Sequence, residues 1–586
     1  MNVISDAERA AIDAVLGSAT LGWGASARAA TGGRFARGGV ALKARRHLLL
    51  PALHAVQQAA GWITPEALDY LSQRLDVSPA ESFGVATFYD LLDTVPGPDA
   101  TLRICDDIAC AGGAQLIAAS RARYGDNVTV EPVSCLGHCA RGSAAMVSVA
   151  GRQDVMVAPA SSEGIDAAVG GGVTAGVADR IGGQLTLLSR VGLVDPSSLD
   201  DYRNHGGYAA LGKAMRMGSA MVIGEIDLSL LRGRGGASFP TGRKWAAVAR
   251  SEPIPKYVIC NADESEPGTF KDRVILENDP FAIVEALTIA GFAVGASRGF
   301  IYVRGEYPLA VERVENAVSV AREAGLLGPS VMGTGFGFDI DVRRGAGAYI
   351  CGEETALFNS IEGFRGEPRV KPPFPTDVGL FGKPTVINNV ETLANVLPIV
   401  IEGGEAYAAT GHGGSTGTKL FPVSGRVARP GLYEAPCCVS LGEIIELAGG
   451  AIGTFRAALV GGAAGVFMGP ERLDDTMSFE HLAALGESYG SGAIVVFDET
   501  SDLDAVVRRI AAFFRHESCG QCVPCRIGTV AQQEALGHLL DGDGTWRKIL
   551  ADVDRVMTDA SICGLGRTAA SAIRSALHLG LIGGAS

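Results

Sequence analysis

The chain has 586 residues and a formal net charge of −14, and 47% of its residues are hydrophobic. This length is enough for about three to five domains with buried cores. The acidic balance argues against a nucleic-acid partner, which would favour a basic face. Residues 1–9 carry two acidic side chains and no apolar core, so we expect no secretory signal. No uninterrupted apolar stretch reaches about 18 residues, so we also expect no membrane span.

Residues 1–90 are expected to be mostly helical. Thr64 followed by Pro65 is a typical helix start, with a capping hydroxyl before a proline in the first turn. Ser78 and Glu81 have the spacing of a capping box and predict the start of another helix. The sequence therefore predicts an N-terminal helical segment.

Residues 91–160 predict a small α/β domain. Thr101–Cys105 and Val128–Val133 have the pattern of strands, and Ala114–Tyr124 between them has the pattern of a helix. Residues 161–185 are rich in glycine, alanine and valine, so we interpret them as a linker.

The rest of the chain predicts three further units. In residues 186–417, strands such as Tyr257–Cys260 alternate with helices such as Phe281–Val294, which indicates a mainly parallel sheet. Residues 418–500 predict a small mixed β domain, and residues 501–586 predict a helical bundle.

Four cysteines of the predicted small α/β domain form two close pairs. Cys105 and Cys110 are separated by four residues, and Cys135 and Cys139 by three. Two pairs of thiolates suit a 2Fe-2S cluster, because each pair can hold one iron. The alternative is a structural zinc site, although zinc prefers tighter Cys-x2-Cys knuckles.

A second set of cysteines lies in the predicted helical bundle. Cys519, Cys522 and Cys525 follow one another at two-residue intervals, and Cys563 lies further along the chain. This spacing is typical of 4Fe-4S ligation, with zinc again as the alternative. Two cluster sites indicate electron transfer. Free thiols and the lack of an export signal together predict a cytoplasmic protein.

Residues 232–245 form the densest glycine loop in the chain. Glycines allow a backbone to approach a phosphate, and Arg234, Arg243 and Lys244 offer positive charge. The dinucleotide fingerprint Gly-x-Gly-x-x-Gly fails at Ser238, and Trp245 follows the lysine where a P-loop has serine or threonine. The loop is therefore a nucleotide-site candidate of neither common type, and a simple turn is the alternative.

Further polar loops follow predicted strands or turns. Residues 261–272 hold an asparagine and several carboxylates, which can bind ribose hydroxyls, a flavin edge or a metal, or can form a solvated acidic loop. Residues 345–357, 371–375 and 387–391 add a tyrosine, paired glutamates, a lysine and two asparagines. These loops together indicate a ligand site.

The N-terminal part resembles the thioredoxin-like 2Fe-2S subunit of respiratory complex I. The resemblance rests on the segments at Leu49–Gln57, Gly61–Ile63 and Gly84–Tyr89 and on the cysteine pairs, and it covers roughly residues 40–158. It implies a helical segment followed by a thioredoxin-like ferredoxin domain.

Residues 185–580 resemble the flavin-bearing, NADH-oxidising subunit of complex I. They also resemble the diaphorase subunits of NAD-reducing nickel–iron hydrogenases and of NAD-dependent molybdenum formate dehydrogenases. The resemblance implies a Rossmann-like FMN/NADH domain, a small β-grasp-like (ubiquitin-like) domain and a helical 4Fe-4S bundle. The residues that it implies for FMN are Gly233, Arg234, Gly235, Gly236, Lys244, Asn261, Asp263, Glu264, Tyr349, Gly352, Glu353, Asn388 and Asn389. Those that it implies for the dinucleotide are Phe239, Lys244, Glu266, Glu354, Lys371 and Phe374.

In that family NADH delivers hydride to the flavin, so the protein's task is alignment rather than acid–base catalysis. Glu266 is expected to position the nicotinamide or to tune the flavin potential. The cofactors implied are FMN, NAD(H), a 4Fe-4S cluster and a 2Fe-2S cluster. Single electrons would then pass through the clusters to or from a partner.

The fused layout most resembles the diaphorase subunit of a soluble NAD-reducing hydrogenase, so we expect an iron–sulfur subunit and hydrogenase subunits as partners. A NAD-dependent formate dehydrogenase and a fused complex I subunit are the next alternatives. The alternative from another class is a non-catalytic electron carrier or metal-stabilised scaffold with a decayed flavin site. Cys437 and Cys438 fit neither cluster set and receive no role.

Overall fold

The computed structural model describes residues 4–17, 45–110, 112–172, 178–252 and 254–583. Parts of the predicted N-terminal helical segment, residues 18–44, and of the predicted linker, residues 173–177, lie outside the described residues. In the part of the chain that is described, none of the helices combines the length and the apolar character that a membrane crossing needs.

The N-terminal region is helical where it is described. Its helices are α1 to α4, at Asp6–Leu16, Leu49–Ala60, Pro65–Leu75 and Pro79–Ala86. The Thr64 hydroxyl accepts the Ala67 amide at 3.0 Å, and the Ser78 hydroxyl accepts the Glu81 amide at 3.2 Å. Both hydroxyls therefore cap the helices that the sequence predicts there.

A four-stranded sheet follows, with strand order β2-β1-β3-β4. Its elements are β1 (Ala100–Cys105), α5 (Gly113–Tyr124), β2 (Thr129–Val133), β3 (Ala145–Val149) and β4 (Val155–Val157). Strands β1 and β2 are parallel, so both end at the same edge of the sheet. Cys105 closes β1 and Cys135 follows β2, which brings the two cysteine pairs together at that edge.

The predicted linker contains regular structure at both of its described ends. Residues Ser162–Val169 form α6, and Ile181–Gly183 form β5. Strand β5 pairs in parallel with a strand of the later β domain, at Leu432 opposite Ile181. A three-residue strand with two glycines has no alternating pattern, so its sequence resembles that of a linker.

The central unit contains a parallel sheet flanked by helices. Its strands are β6 (Tyr257–Ala262), β7 (Arg298–Val303), β8 (Asp339–Arg344) and β9 (Thr385–Asn389). Its helices α7 to α17 lie at Leu199–Asn204, Ala209–Met217, Ser219–Leu228, Thr241–Arg250, Lys271–Asn278, Pro280–Val294, Pro308–Glu323, Glu354–Ile361, Val390–Ala394, Val396–Glu402 and Gly404–Ala408. The strand order is β8-β7-β6-β9. Successive strands are added on one side of β6 up to β8, and β9 is then added on the other side, so the switch point lies between β6 and β9. The carboxyl ends of strands at such a switch point are the usual ligand site of α/β sheets.

The small β domain holds a mixed sheet with strand order β15-β14-β16-β12-β13-β5. A two-stranded ribbon, β10 (Gly411–His412) and β11 (Ser415–Thr416), precedes it. Its elements are β12 (Thr418–Gly425), β13 (Gly431–Pro436), α18 (Leu441–Leu447), β14 (Phe455–Val460), β15 (Val466–Met468), α19 (Phe479–Ala484) and β16 (Ile494–Asp498). Strands β12 and β16 are parallel and central, and both are buried along most of their length.

The C-terminal unit is the helical bundle that the sequence predicts. Its helices α20 to α24 lie at Leu503–His516, Val523–Leu540, Trp546–Ala560, Gly564–Thr568 and Ser571–His578. One contiguous apolar core includes Leu53 of α2, Ile350 of the loop after β8 and Phe514 of α20. The N-terminal helices, the loop beside the switch point and the bundle are therefore packed against one another.

Candidate active site and metal centres

The carboxyl ends of β6 and β9 carry asparagines whose side chains are hydrogen-bonded to surrounding segments of the chain. Asn261 Nδ2 donates to the Gly352 carbonyl at 2.8 Å, and Asn388 Oδ1 accepts Trp245 Nε1 at 2.8 Å. Asn389 Nδ2 donates to Asp272 at 2.6 Å. These side chains organise the site, because they link the two strand ends to the turn at Gly352 and to helices α10 and α11.

The glycine loop lies directly over this edge. A Cβ added to Gly235 would lie 3.0 Å from Asn389 Cβ, and Gly236 has a φ of +116° with the Gly490 backbone 3.8 Å from its Cβ position. Only glycine permits this close approach and this conformation. Gly235 itself is exposed, so the loop can offer its backbone to a ligand.

The basic side chains of this loop differ in exposure, and two of them donate to carbonyl groups of the protein. Arg234 is 1% exposed, and its Nη2 donates to the Thr416 carbonyl at 2.7 Å, while its Nε and Nη1 have no partner among the described residues. Lys244 Nζ donates to the Ile387 carbonyl at 2.9 Å, and burial lowers the pKa of Lys244. Arg243 is exposed.

Neighbouring carboxylates of the acidic loop face different surroundings. Glu264 is 5% exposed and accepts the backbone amides of Asp272 and Arg273 at 2.9 and 3.0 Å, so it caps α11. Asp263 Oδ2 is buried and has no partner among the described residues, and burial raises the pKa of Asp263 to about 8. A buried carboxylate oxygen without a donor fits a ligand that brings hydroxyl groups.

Glu266 is held from two sides. Tyr349 donates its phenolic hydrogen to Glu266 Oε2 at 2.6 Å, and the Ala464 amide of the small β domain donates to Oε1 at 2.9 Å. Burial raises the pKa of Glu266 to about 7, against these two hydrogen bonds. The carboxylate is therefore oriented before any ligand binds.

A second polar group lies on the outer side of the site. Glu353 caps α14 by accepting the amides of Thr355 and Ala356 at 2.8 and 3.0 Å. Lys371 Nζ donates to Glu353 at 2.8 Å and to Glu354 at 2.6 Å. Lys371 and Glu354 are also the charged groups that act on Lys244, so these side chains form one cluster.

Phe239 and Phe374 are exposed aromatics of this region, at 53% and 54% exposure. The Phe239 ring lies 5.9 Å from Lys244 Nζ, and Phe374 follows Lys371 by three positions. Exposed aromatic faces are suited to stacking on a base or a nicotinamide ring, and Phe239 also has a lysine over its ring.

The sequence-based site missed a buried charge network under the glycine loop. Glu391 is fully buried between Lys271 Nζ at 3.1 Å and Lys419 Nζ at 3.5 Å. Burial opposes ionisation of Glu391, but the two ammonium groups outweigh it and lower its pKa. Lys271 also donates to Asn389 at 3.2 Å, which connects the network to the site. Lys419 belongs to the small β domain, so the sequence pattern around Glu391 does not reveal this ion pair.

The first cysteine set is assembled and buried. The Cys105 and Cys110 sulfurs lie 3.0 Å apart, and the Cys135 and Cys139 sulfurs lie 3.1 Å apart. Asp107, which the sequence analysis did not single out, accepts the Cys135 amide at 2.8 Å. Four convergent thiols in two pairs fit a 2Fe-2S cluster.

The central unit supports the loop between Cys135 and Cys139. Arg304 Nη2 donates to the Cys135 carbonyl at 2.5 Å, and Arg273 Nε donates to the Gly137 carbonyl at 2.8 Å. A Cβ at Gly137 would lie 2.2 Å from the Tyr307 hydroxyl oxygen. The 2Fe-2S site is therefore docked closely on the unit that carries the glycine loop.

The second cysteine set lines one cavity. Cys519, Cys522, Cys525 and Cys563 all face it, together with Ile350. All four thiols are free, and Cys525 Sγ lies 3.2 Å from the Ser518 hydroxyl oxygen. Four thiols around one space fit a 4Fe-4S cluster.

The turn Tyr349–Gly352 lies between Glu266 and this cavity. The Tyr349 hydroxyl donates to Glu266, and the Tyr349 amide donates to Glu517 at 2.9 Å. The Tyr349 ring packs edge-to-face with Phe513, with 5.0 Å between the ring centroids. Glu517 precedes Cys519 by two positions, and Ile350 lines the cysteine cavity. One short turn thus joins the ligand site to the second metal centre.

Three family models match separate parts of the chain. The thioredoxin-like [2Fe-2S] ferredoxin matches residues 40–163, and the Nuo51 FMN-binding domain matches residues 226–398. The NADH-ubiquinone oxidoreductase-F iron-sulfur binding region matches residues 505–579. The multidomain fold, FMN as a cofactor and both iron–sulfur interpretations are therefore confirmed, in preference to zinc.

Curated relatives agree with these matches. The F component of the NADH-quinone oxidoreductase of Aquifex aeolicus is 46% identical over 396 residues, which cover 67% of this chain and 92% of the relative. The NADP-reducing hydrogenase subunit HndC of Solidesulfovibrio fructosivorans is 44% identical over 404 residues, which cover 67% of this chain and 81% of the relative.

A crystal structure of an NAD+-reducing [NiFe]-hydrogenase in the H2-reduced state contains a chain that is similar over 91% of both chains, with a TM-score of 0.79 and 32% identity. The same enzyme type in the air-oxidised state matches with a TM-score of 0.78. These findings confirm an NADH dehydrogenase-type oxidoreductase rather than a non-catalytic carrier. The chain therefore belongs to the family of the F component of NADH-quinone oxidoreductase, here joined to a thioredoxin-like 2Fe-2S domain.

Proposed function

We propose that this chain is the diaphorase subunit of a NAD-reducing nickel–iron hydrogenase. It would exchange hydride between NAD(H) and FMN and relay single electrons through its clusters to or from the hydrogenase partner. The observation that carries this proposal is the match to a chain of an NAD+-reducing [NiFe]-hydrogenase over 91% of both chains. The relative from Aquifex aeolicus matches only 67% of this chain, so it accounts for less of the layout.

We propose a flavin set and a dinucleotide set of site residues, with Lys244 in both. We assign FMN to Gly233, Arg234, Gly235, Gly236, Lys244, Asn261, Asp263, Glu264, Tyr349, Gly352, Glu353, Asn388 and Asn389. The exposed backbone at Gly235 and the buried Asp263 oxygen, which lacks a partner among the described residues, support this assignment, because FMN brings phosphate and hydroxyl groups. Arg234 and Glu264 would act through backbone placement and helix capping, since their side chains bind protein groups. When bound, FMN supplies the exchange between two-electron and one-electron chemistry.

The dinucleotide set consists of Phe239, Lys244, Glu266, Glu354, Lys371 and Phe374. The exposed rings of Phe239 and Phe374 can stack on the bound dinucleotide, and the Lys371–Glu354 pair can hold its polar groups. Glu266 lies deeper and is already oriented by two hydrogen bonds, so it would fix the nicotinamide for hydride transfer.

The exposure of the cysteines indicates where a partner docks. The ligands of the 2Fe-2S set are buried, whereas Cys519, Cys522 and Cys563 are only partly buried. Beside them, α21 presents Val523, Ile527 and Val530 at 60%, 57% and 40% exposure along one face of the helix. An exposed apolar stripe next to an accessible cluster suits an iron–sulfur subunit of the hydrogenase complex.

The proposed function implies a cytoplasmic location and a hydrogenase active site on another subunit. We further propose the domain limits 1–90 helical, 91–160 2Fe-2S, 161–185 connecting, 186–417 FMN/NAD(H), 418–500 small β and 501–586 4Fe-4S. The family matches at residues 226–398 and 505–579 fall within two of these units, whereas the match at residues 40–163 spans the helical and 2Fe-2S units and ends three residues into the connecting segment.

Mass spectrometry of the assembly that co-purifies with this chain from its native cells under anoxia would test the partner. Nickel–iron hydrogenase subunits, together with hydrogen-dependent NAD+ reduction, are the expected result. Membrane subunits would favour the second candidate, a complex I subunit, which the 46% identity to the NADH-quinone oxidoreductase relative supports. A molybdenum-cofactor subunit would instead indicate formate oxidation. Purified protein that lacks FMN, or that cannot reduce a dye with NADH, would contradict the proposed reaction itself.

A further inference from the structure

The small β domain contributes to the ligand site through two turns. Residues 418–498 fall between the segments that match the FMN-binding and iron–sulfur models. In the structure, the Ala464 amide holds Glu266, and the Ser491 hydroxyl lies 2.7 Å from the Thr269 hydroxyl oxygen in the same acidic loop. The Gly490 backbone lies 3.8 Å from the Cβ position of Gly236. The domain thus contacts both the acidic loop and the glycine loop.

Gly462 makes the contact with Glu266 possible. Its φ is +79°, and a Cβ at this position would lie 2.6 Å from Glu266 Cγ and 2.7 Å from the Pro267 carbonyl oxygen. A side chain here must displace either the acidic loop or the turn that carries Ala464. Because Ala464 follows Gly462 by two positions, the close approach and the hydrogen bond depend on the same turn.

We propose that the turn 461–465 of the small β domain is a positioning element of the hydride-transfer site, which holds the Glu266 carboxylate in one orientation opposite Tyr349. The inference rests on the proposed function, because it assigns a purpose to the orientation of Glu266. It gives the small β domain a positioning role, because the residues of the turn act through Glu266 rather than on substrate.

The electrostatics of Glu266 agree with this geometry. Burial raises the pKa of Glu266 to about 7, the Tyr349 hydroxyl and the Ala464 and Ala463 amides lower it, and the Asp107 carboxylate of the 2Fe-2S loop raises it. Loss of the amide contacts would raise the pKa further. The carboxylate form would then be lost at a higher pH, so NADH turnover would begin to fall at a higher pH on the acid side.

The test compares Gly462→Ala with Gly486→Ala in the full chain. Gly486 lies in the same domain and has a similar φ of +72°, but nothing lies within 4 Å of its Cβ position. We expect Gly462→Ala to raise KM for NADH about tenfold, as for a lost hydrogen bond to a charged group. We also expect the fall in NADH turnover on the acid side of the pH profile to occur at a higher pH in Gly462→Ala. The FMN and iron contents should be unchanged. Gly486→Ala should have the same KM for NADH and the same pH profile as the parent protein.

Tyr349→Phe provides a second route to the same carboxylate without a steric clash. It removes the 2.6 Å hydrogen bond, so NADH turnover should fall at a higher pH on the acid side, as in Gly462→Ala. This measurement is available even if Gly462→Ala folds poorly. Parent-like KM and pH profile in Gly462→Ala would overturn the positioning role, as would equal effects of Gly462→Ala and Gly486→Ala. A parent protein without NADH–dye activity would overturn the proposed function instead, so the two failures are distinguishable.

Discussion

Asp263, Glu264 and Glu266 lie within four positions of one another but meet three different environments. Glu264 caps α11 and is bound entirely by protein groups, while Asp263 keeps a buried oxygen without a partner among the described residues. Glu266 is oriented by Tyr349 of its own unit and by the Ala464 amide of the small β domain. Of the three, Glu266 is therefore the carboxylate whose replacement should affect turnover most directly.

Glu266→Ala should slow hydride transfer while leaving FMN and iron in place. The loss of the oriented carboxylate leaves the nicotinamide misaligned, and misalignment by about 1 Å can cost about 100-fold in rate. Stopped-flow measurement of flavin reduction by NADH gives the rate directly. Glu402→Ala, at an exposed helix end, serves as the control. Unchanged NADH–dye turnover in Glu266→Ala would remove this residue from the mechanism.

Cys522→Ser should abolish the electron paramagnetic resonance signal of the 4Fe-4S cluster and spare FMN. The cysteine lines the cavity that it shares with Cys519, Cys525 and Cys563, and the residues around that cavity include none from the glycine loop or the acidic loop. Cys438→Ser is the matched control, because this thiol is partly buried like Cys522 but belongs to neither set. An intact 4Fe-4S signal in Cys522→Ser would contradict the ligand assignment.

Helix α21 has two roles that follow from its two faces. Its buried face carries Cys525 and packs into the bundle, while its outer face exposes Val523, Ile527 and Val530. An apolar outer face has no advantage for a helix that stays in water, so its position beside the cluster favours a docked subunit.

Ile527→Asp should weaken coupling to the partner without affecting NADH–dye activity. A charge placed at the centre of the stripe would be desolvated on docking, so we expect hydrogen-dependent NAD+ reduction to fall at least about tenfold. Met221→Asp is the control, because Met221 is 58% exposed on another helix against 57% for Ile527. Equal hydrogen-dependent rates in both variants would argue against this face.

At the scale of the whole molecule, contacts between distant segments hold the two metal centres around the ligand site. The backbone amides of Asp90 and Leu91 donate to the carbonyls of Gly347 and Ala346, next to the turn that carries Tyr349. His516, at the end of α20, lies 3.6 Å from Asp90 and 3.8 Å from Glu517. The N-terminal region, the ligand loop and the bundle therefore meet at one junction.

His516→Gln should lower the thermal stability in acidic but not in alkaline solution. The hydrogen bond to Glu517 and the charge of Asp90 raise the pKa of His516 from 6.5 to about 9. Its stabilising effect is therefore complete below pH 6.5 and is lost as the pH rises through about 9. Because the side chain is 63% exposed, we expect less than about 1 kcal/mol.

Differential scanning fluorimetry at about pH 6 and about pH 9.5, on either side of the His516 titration, would measure this difference with both buffers at the same ionic strength. Asp90→Asn should remove part of the same stabilisation at the lower pH. A His516→Gln protein that is equally destabilised at both pH values would show that packing, rather than charge, accounts for the effect.

The sequence by itself determined the features that depend on short segments. The cysteine spacings, the caps at Thr64 and Ser78 and elements such as β1, β6 and α12 follow from residues close together in the chain. The family resemblance also follows, since its motifs are contiguous. Local spacing and backbone preference suffice for these features, because the interacting groups are neighbours before folding begins.

Only the tertiary structure decided which polar groups meet across long separations. Glu266 and Ala464 are 198 positions apart, Lys419 reaches a network under the glycine loop, and β5 pairs with β13 across about 250 residues. The sequence pattern around Glu264 also does not reveal that this side chain caps α11. Such contacts depend on how whole units pack, and no local pattern records that packing.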